Sequence, residues 1–242
     1  MAPLLLLLAL HLLSTTNPFS TPLPLRPRFD TSFTSFTSFT SSLNAKPLVI
    51  IGGSTGYIGK SVVLDSSLRS SHSTVALVRS LADVRSNPSL KKYLTDDVEL
   101  IQCDVTNPSE VKTIVANVVE KNGGVANLKG VISCLASHSG TESSSYAVDY
   151  GGSKNLLDAV TSLLDAAPSP PQTPPHYTLL SAYCCKNPTL HFQRAKLKME
   201  GELEAQAQGG LSYSVVRPTA FFKSLSGQLE VVRGGAPFVV FD

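Results

Sequence analysis

Three glycines of this chain, Gly53, Gly56 and Gly59, have the spacing of a loop that binds phosphate between a strand and a helix. They occur in the run VIIGGSTGYIG, where an apolar stretch leads into the glycines and a helix-forming stretch follows. Gly53 would allow the tight turn, Gly56 would let the backbone approach a pyrophosphate, and Gly59 would let the helix pack closely on its strand. The first N–H groups of that helix and its dipole would then face the phosphates. We therefore expect a dinucleotide to be bound by the whole glycine loop, which comprises Gly53, Ser54, Thr55, Gly56, Tyr57, Ile58 and Gly59.

The surroundings of these glycines distinguish a phosphate loop from an ordinary turn, which the same spacing can also mark. Residues 46–51 are typical of a strand, residues 57–68 can form a helix, and residues 74–78 are a second apolar strand. This order and these distances are those of a βαβ unit, so the dinucleotide interpretation is favoured.

The residue after the second predicted strand indicates which dinucleotide is bound. NAD-binding proteins usually place Asp or Glu there, to accept a hydrogen bond from the ribose 2′-hydroxyl, whereas this chain has Arg79 followed by Ser80. An arginine matches a 2′-phosphate, so we expect NADP(H), with Lys60 as a second candidate cation. The alternative is that Arg79 is only a solvated residue at a strand end, and that Lys60 is an exposed helix residue.

Composition and charge narrow the class of protein. The chain has 242 residues, 42% of them hydrophobic, which is enough for one good-sized domain with a core. The net charge of +2 is spread along the chain, which argues against nucleic acid as the main partner. The four cysteines form no C-x-x-C pair, and three of them lie in or beside apolar strand-like runs, which favours reduced, buried thiols over a disulfide framework or a zinc site; they are Cys103, Cys134, Cys184 and Cys185.

Residues 1–45 differ from the rest, and we predict that they are a disordered targeting leader. Residues 4–13 form an almost unbroken apolar run, too short to span a bilayer and similar in length to a signal-peptide core. Residues 14–42 are rich in Ser, Thr, Pro and Phe, with Asp30 as their one acidic residue, which is typical of a plastid transit peptide. Together they predict a bipartite signal-plus-transit leader and a plastid location. The alternative is secretion followed by a disordered linker, which reduced cysteines argue against.

Strands and helices alternate over the remainder of the chain. Beyond the first two strands we predict strands at 98–103, 130–135, 177–181 and 213–216, and helices at 108–120, 145–164 and 191–208. A loop with five prolines, 167–175, precedes the fifth strand. The fold class is therefore α/β, and residues 46–242 are predicted to form a Rossmann-type NAD(P)-binding domain. Its doubly wound parallel sheet would be covered by helices on both faces.

The rest of the cofactor site should lie where strands end, because ligands of such sheets bind at the carboxyl ends of the strands. Asp104 and Val105 follow the third strand and would lie beside the adenine. Leu135 and Ala136 stand where the fourth strand passes into a turn, residues 136–140, and would line the path of the nicotinamide half.

The reacting groups should follow the fourth and fifth strands. Short-chain dehydrogenases keep a serine after the fifth strand and a Tyr-x-x-x-Lys pair on the next helix, where the lysine lowers the pKa of the tyrosine for proton exchange. Here the serine is Ser181, the lysine is Lys196, and the position of the tyrosine holds Phe192, which has no exchangeable proton. The usual acid for carbonyl reduction is therefore absent, while Lys196 can still bind the nicotinamide ribose. The alternative is that Lys196 is an exposed lysine on a charged helix, like Arg194 and Lys198.

Longer segments of the chain resemble one family closely, over residues 47–242. They are GGSTGYIG, VISCLASHSG, VDYGGSKNLLDA, LLSAYCCKNPTLHFQRAKLKMEGEL and YSVVRPTAFFKSLSGQLEVV. The family is that of the plastid divinyl chlorophyllide 8-vinyl-reductases, which are atypical, NmrA-like short-chain dehydrogenases. The most specific part is the run from Phe192 to Lys196 together with Arg217, Pro218 and Thr219.

The resemblance implies an enzyme of chlorophyll biosynthesis that uses NADPH to reduce the 8-vinyl group of divinyl chlorophyllide, or of a related divinyl tetrapyrrole, to ethyl. Hydride would go to a vinyl carbon and the charge would delocalise over the ring before protonation, which suits the missing tyrosine. Lys196 would orient the cofactor or deliver a proton, Phe192 would pack against the tetrapyrrole or the nicotinamide, and Ser181 would keep its catalytic position. Peripheral contact with plastid membranes would follow from such a substrate. Members of the family continue well beyond the position of Asp242, so the C-terminal substrate region is expected to be incomplete.

Two other classes of function stay open at this point. An NADP(H)-binding redox sensor or regulator of the same atypical type would bind the cofactor without turnover, and it would not need the tyrosine. An RNA-associated or scaffolding plastid protein is disfavoured, because the charge pattern lacks a basic face.

Overall fold

The protein is described by a computed structural model over residues 46–69, 71–207, 211–219 and 221. The predicted leader, residues 1–45, and the part of the family resemblance beyond residue 221 lie outside the described residues. Strands and helices alternate in the order β1 Leu48–Gly52, α1 Gly59–Leu68, β2 Ser73–Val78, α2 Leu81–Ser86, β3 Val98–Gln102, α3 Pro108–Lys121, β4 Leu128–Ser133, α4, β5 His176–Leu180, α5 His191–Ala207 and β6 Ser212–Val216.

Helix α4 has three consecutive parts. Its first turn is Glu142–Ser144, its middle is a π-helix at Ser145–Gly152, and its long α-helical part is Ser153–Ala166. A short 3₁₀ turn, Val125–Asn127, precedes β4. None of the helices in the described ranges is long and apolar enough to cross a membrane.

The strands form one parallel sheet in the order β3-β2-β1-β4-β5-β6. The chain builds outward from β1 to β3 and then returns to the other side of β1 with β4. This reversal creates a crevice at the carboxyl ends of β1 and β4, which is where doubly wound folds bind ligands. The predicted Rossmann-type α/β fold is confirmed.

The core lies on both faces of the sheet because successive residues of a strand point to opposite sides. In β1, Leu48 and Ile50 pack in one cluster with α3, α4 and α5, whereas Val49 and Ile51 pack in a second cluster with α1 and α2. All four side chains are at most 1% exposed. Such double burial explains why β1 is a continuous apolar run, as expected for a strand in a parallel sheet.

Several predicted boundaries were wrong, and one helix was not predicted. Helix α1 starts at Gly59 and not at residue 57, because the glycine loop still turns before it. Strand β4 is Leu128–Ser133 and not 130–135. Helix α2 was not predicted, although Ser80 caps it by accepting a hydrogen bond from the Asp83 backbone at 3.1 Å, a Ser-x-x-Asp signal for a helix start.

Candidate functional site

The glycine loop joins β1 to α1 at the crevice, and its backbone leaves no room for side chains at two positions. Gly53 has φ +76°, and a Cβ there would lie 2.5 Å from the carbonyl oxygen of Cys134. At Gly59 a Cβ would lie 2.0 Å from the carbonyl oxygen of Gly53. Gly59 is therefore needed for the loop to close on its own backbone, whereas we expected it to serve the packing of the helix on its strand.

The remaining residues of the loop leave the start of α1 facing the crevice. Ser54 is fully buried and donates its hydroxyl to the carbonyl of Ile51 at 2.7 Å, so it holds the turn. Gly56 N–H donates to the Gly53 carbonyl at 3.0 Å, and Ile58, at the N-cap, makes no side-chain cap. A helix start without a side-chain cap beside a glycine turn suits an anion.

Arg79 and Asp104 lie at the ends of the neighbouring strands β2 and β3, which continue to pair there through Cys103 N–H and the Val78 carbonyl at 2.8 Å. Both side chains are exposed. Hydrogen bonds from the Thr106 hydroxyl and backbone hold the pKa of Asp104 below its usual value, and the charge of Arg79 acts in the same direction. Asp104 is therefore a charged acceptor at neutral pH.

Other residues predicted to bind the cofactor take less direct positions. Val105 is half-buried, packs over Gly152, and accepts a hydrogen bond from the Asn155 side chain at 2.9 Å through its carbonyl. The Lys60 ammonium lies 4.9 Å from the centre of the Tyr93 ring and 6.0 Å from the centre of the Tyr57 ring, within reach of cation–π contact with both. Thr55 and Tyr57 are exposed within the loop, and Tyr57 makes an edge contact with Phe221 at 5.7 Å between ring centres.

Lys196 is buried, contrary to the alternative of an exposed helix lysine. It is 3% exposed, and its ammonium donates to the carbonyl of Leu135 at 2.6 Å. The ammonium also lies 3.6 Å from a carboxylate oxygen of Asp149. Burial lowers the pKa of Lys196, while the charge of Asp149 opposes that shift. A lysine with a lowered pKa gives up its proton more readily than a solvated one.

Phe192 and Leu135 complete the surroundings of Lys196. Phe192 is half-buried one helical turn before Lys196 on α5, so the two side chains share a face. Leu135 follows the end of β4 and is buried, whereas Ala136, the next residue, is exposed. The chain leaving β4 therefore contributes a backbone carbonyl to the site rather than a reactive side chain.

Ser181 belongs to a separate cluster with Glu200 and Arg217. Its hydroxyl donates to a carboxylate oxygen of Glu200 at 2.5 Å, so its proton is already engaged. Arg217 donates to both oxygens of the same carboxylate, from Nε at 2.9 Å and from its terminal nitrogen. Burial raises the pKa of Glu200, but the hydrogen bonds from Arg217 and Ser181 outweigh it and lower that pKa overall.

Sequence reasoning did not assign Asp149 or Glu200 to the site. Both are charged residues in the buried stripe of a helix, at 1% and 3% exposure. The signal in the sequence is a charged residue at a position where the helical period predicts burial. Carboxylates are almost never fully buried unless they are paired, so such a position indicates a partner. On α5 the buried residues are Gln193, Ala195, Lys196, Met199, Glu200 and Leu203.

The cysteines do not form a disulfide or a metal site among the described residues. Cys103, Cys134 and Cys185 are buried, and Cys184 is exposed. Burial raises the pKa of Cys103 to about 11 and that of Cys134 to about 12, so both stay as thiols.

Comparisons with known proteins show which families this chain resembles. Residues 45–140 match the NmrA-like family. Over 197 residues the chain is 40% identical to the divinyl chlorophyllide a 8-vinyl-reductase, chloroplastic, of Zea mays, covering 80% of this chain and 45% of that protein. The Arabidopsis thaliana protein of the same name is 37% identical over 198 residues, covering 80% of this chain and 44% of that protein. This chain is a relative of the plant 8-vinyl-reductases. The resemblance found in the sequence is confirmed, and the chain spans less than half the length of these relatives.

Solved structures with low sequence identity to this chain share its fold. ElxO with NADP bound has a TM-score of 0.59 at 16% identity, covering 78% of this chain and 79% of that one. Serine dehydrogenase from Escherichia coli has a TM-score of 0.57 at 13% identity, and the match covers 71% of this chain and 82% of that one.

Proposed function

We propose that this chain is the NADPH-binding part of a plastid enzyme of chlorophyll biosynthesis that reduces the 8-vinyl group of divinyl chlorophyllide, or of a related divinyl tetrapyrrole, to ethyl. The observation that carries the proposal is the pair of Lys196 and Phe192: the lysine is buried in the crevice, and the carbonyl-reducing tyrosine is absent. The names of the plant relatives give the substrate class.

The glycine loop fits NADPH because Gly53 and Gly59 let the turn close tightly on the backbone of the chain, beside a start of α1 that has no side-chain cap. The start of α1 would bind the diphosphate, and Arg79 would bind the 2′-phosphate. Asp104 and Val105 would flank the adenine, and Leu135, Ala136 and Lys196 would hold the nicotinamide half. The bound cofactor supplies a hydride.

Saturation of a vinyl group also needs a proton, and the residues differ in their ability to supply it. Phe192 has none, and Ser181 donates its own to Glu200. Lys196 has three donor hydrogens, of which one is used by the Leu135 carbonyl. Lys196 is therefore the proposed donor, and it would regain the proton from solvent after the ethyl product forms. Phe192 would pack against the tetrapyrrole or the nicotinamide.

The test of the activity joins the full chain to the region of the maize relative that lies beyond the match. This extended protein should consume NADPH and shift the absorbance of a divinyl chlorophyllide as the vinyl conjugation is lost, whereas the 242-residue chain alone should bind NADPH and turn over poorly. If the extended protein binds NADPH and leaves the divinyl substrate unchanged, the redox-sensor interpretation replaces ours.

Variants of α5 separate the roles of its residues. Lys196→Ala should lower the rate of the extended protein roughly 10²-fold if the lysine transfers a proton. Lys198→Ala is the matched control, since that lysine is exposed and lies over the Tyr150 ring at 4.2 Å. Phe192→Tyr should retain vinyl reduction. Equal losses in the two lysine variants would contradict the assignment.

The location in plastids rests on the names of the relatives, which are chloroplastic proteins. We propose that residues 1–45 direct the chain there as a bipartite leader and are absent from the mature protein. A fluorescent protein fused behind these residues should enter plastids, and retention in the secretory pathway would contradict the proposal. Peripheral association with plastid membranes belongs to the same proposal and is tested by sedimentation with plastid-lipid vesicles.

A further inference from the structure

The π-helical part of α4, Ser145–Gly152, sits directly against the chain that leaves β3 and β4. It turns Ser145, Asp149 and Gly152 toward the interior. A Cβ on Gly152 would lie 3.1 Å from side-chain atoms of both Leu135 and Val105, so the packing there is close. Single π-helical turns within α-helices occur frequently at functional sites. Here the π-helix fixes Asp149 beside the residues that follow β4.

Each carboxylate oxygen of Asp149 faces a different element of the site. One oxygen accepts a hydrogen bond from the Ser137 backbone N–H at 3.0 Å, in the turn after β4. The other lies 3.6 Å from the ammonium of Lys196 on α5. The Ser137 hydroxyl also bonds the Ser145 hydroxyl at 3.3 Å, which ties the same turn to α4 a second time.

Asp149 supplies the charge that a buried lysine needs. Among the described residues it is the one carboxylate within 4.0 Å of Lys196, and the other partner, the Leu135 carbonyl, is neutral. The remaining titratable groups that act on Lys196 are the thiols of Cys134 on the chain after β4 and Cys185 on the chain after β5. An ammonium buried without a counter-charge is costly, so removing Asp149 should displace or neutralise Lys196.

We propose that Asp149 is a positioning residue of this site, which holds the Lys196 ammonium and the Ser137 backbone in the places where they would meet the nicotinamide half of NADPH. The inference deepens the proposed function and rests on it for the cofactor. In this chain Phe192 stands where short-chain dehydrogenases have the tyrosine partner of the lysine, and a carboxylate on a neighbouring helix provides the partner instead.

The first test follows the protonation of Lys196 in the cofactor-free chain, by nuclear magnetic resonance of ¹³C-labelled lysine side chains with Lys196→Arg used to assign the signal. Asp149→Asn should lower the titration midpoint of Lys196 by about one pH unit or more, because a nearby opposite charge favours the charged form by this amount. Asp158→Asn is the matched control, since Asp158 lies on the same helix, is paired with Lys154 at 2.7 Å, and is half exposed. An unchanged midpoint in Asp149→Asn would overturn the proposal.

The second test measures NADPH affinity in a double-mutant cycle. Asp149→Asn should weaken NADPH roughly tenfold, the size of one charge-assisted contact. In a Lys196→Met background the same change should have much less effect, because its action passes through the lysine. Equal losses in both backgrounds would show a general packing defect and reject the positioning role. If Asp149→Asn does not fold, Asp149→Ser replaces it in both tests, with the thermal unfolding midpoint as the check on folding.

The two tests also separate this inference from the proposed function. A wild-type chain that binds no NADPH would reject the proposed function, while the titration of Lys196 would still decide whether Asp149 controls the lysine. A chain that binds NADPH equally well with and without Asp149 would keep the function and reject the inference.

Discussion

A Tyr-x-x-x-Lys pair usually combines a lysine that binds the nicotinamide ribose with a tyrosine that donates a proton, and in this chain only the lysine, Lys196, is present, with Phe192 in place of the tyrosine. The lysine keeps the buried position next to the chain after β4, whereas the phenylalanine removes the proton that would polarise a carbonyl. Sequence spacing identified both residues, but the burial of Lys196 and its pairing with Asp149 depend on contacts between distant parts of the chain. A helix with several cationic residues does not reveal which of them points inward.

Arg79 should decide the choice between the two nicotinamide cofactors. Arg79→Ala should weaken NADPH roughly ten- to a hundredfold and leave NADH nearly unchanged, because a charge-assisted hydrogen bond contributes on the order of 1.5 to 3 kcal/mol. Titration calorimetry with both cofactors measures this difference, and Arg85→Ala, an exposed residue at the end of α2, is the control. Equal losses for NADPH and NADH would refute the assignment.

Glu200 should stabilise the fold in a pH-dependent way. Its pKa in the folded state lies below the ordinary value of 4.5, so its contribution is present above that pH and is lost as the pH falls through the folded-state pKa. Glu200→Gln should therefore lower the free energy of unfolding by about 1 to 3 kcal/mol at neutral pH. The difference from wild type should shrink below pH 4.5.

Urea unfolding at several pH values measures the effect of Glu200. The control is Glu204→Gln, which changes an exposed carboxylate one helical turn later. A difference between Glu200→Gln and wild type that stays constant from pH 7 into the acid range would contradict the role of the ionised carboxylate.

At the scale of elements, the strands and the glycine loop could be predicted because their signals are local. Continuous apolar runs mark doubly buried strands, and the glycines mark a turn. The π-helical middle of α4 could not be predicted, since residues 145–164 have the pattern of one amphipathic helix. Its last residue, Gly152, packs closely on Leu135 and Val105, which are distant in sequence.

The junction of the glycine loop and α1 gives a prediction with an internal control. Gly59→Ala should lower the free energy of unfolding by more than about 2 kcal/mol, which is a large effect for a single substitution. The reason is steric, because the added Cβ would lie 2.0 Å from the Gly53 carbonyl oxygen. Gly201→Ala in α5 meets no atom within 4 Å and should stabilise by roughly 0.5 to 1 kcal/mol through helix propensity. Chemical denaturation of both variants checks the contrast, and similar effects would contradict it.

At the scale of the whole molecule, the doubly wound parallel sheet could be predicted from the alternation of strands and helices, because right-handed crossovers leave few arrangements. The strand order could not, since two common doubly wound orders share that alternation. The substrate side could not be predicted in the same way. The Glu200–Arg217 pair ties α5 to the residues after β6, and no local pattern indicates that connection.

Binding of NADPH should stabilise the domain as a unit. At a free concentration of about 100 times its dissociation constant, the cofactor should add about 2.7 kcal/mol to the free energy of unfolding. For a domain of this size that corresponds to a rise of roughly 5 to 10 °C in the thermal midpoint. Differential scanning calorimetry measures the rise, and Arg79→Ala should show a smaller one at the same concentration. An unchanged midpoint for the wild-type chain would contradict cofactor binding.

The position of β1 in the sheet sets an order in which the chain can assemble during synthesis. Strand β1 is made first, yet it lies between β2 and β4, and Ile51 pairs with Ile132. The turn at Gly53 packs on the backbone of Cys134, which follows β4. The glycine loop therefore lacks this contact until β4 has left the ribosome. Until then the apolar β1 edge is open to other chains, and contacts this distant in sequence form slowly. A nascent chain halted before β4 should therefore leave that edge open to pairing with other chains, whereas one halted after β4 already contains the Cys134 backbone on which the Gly53 turn packs.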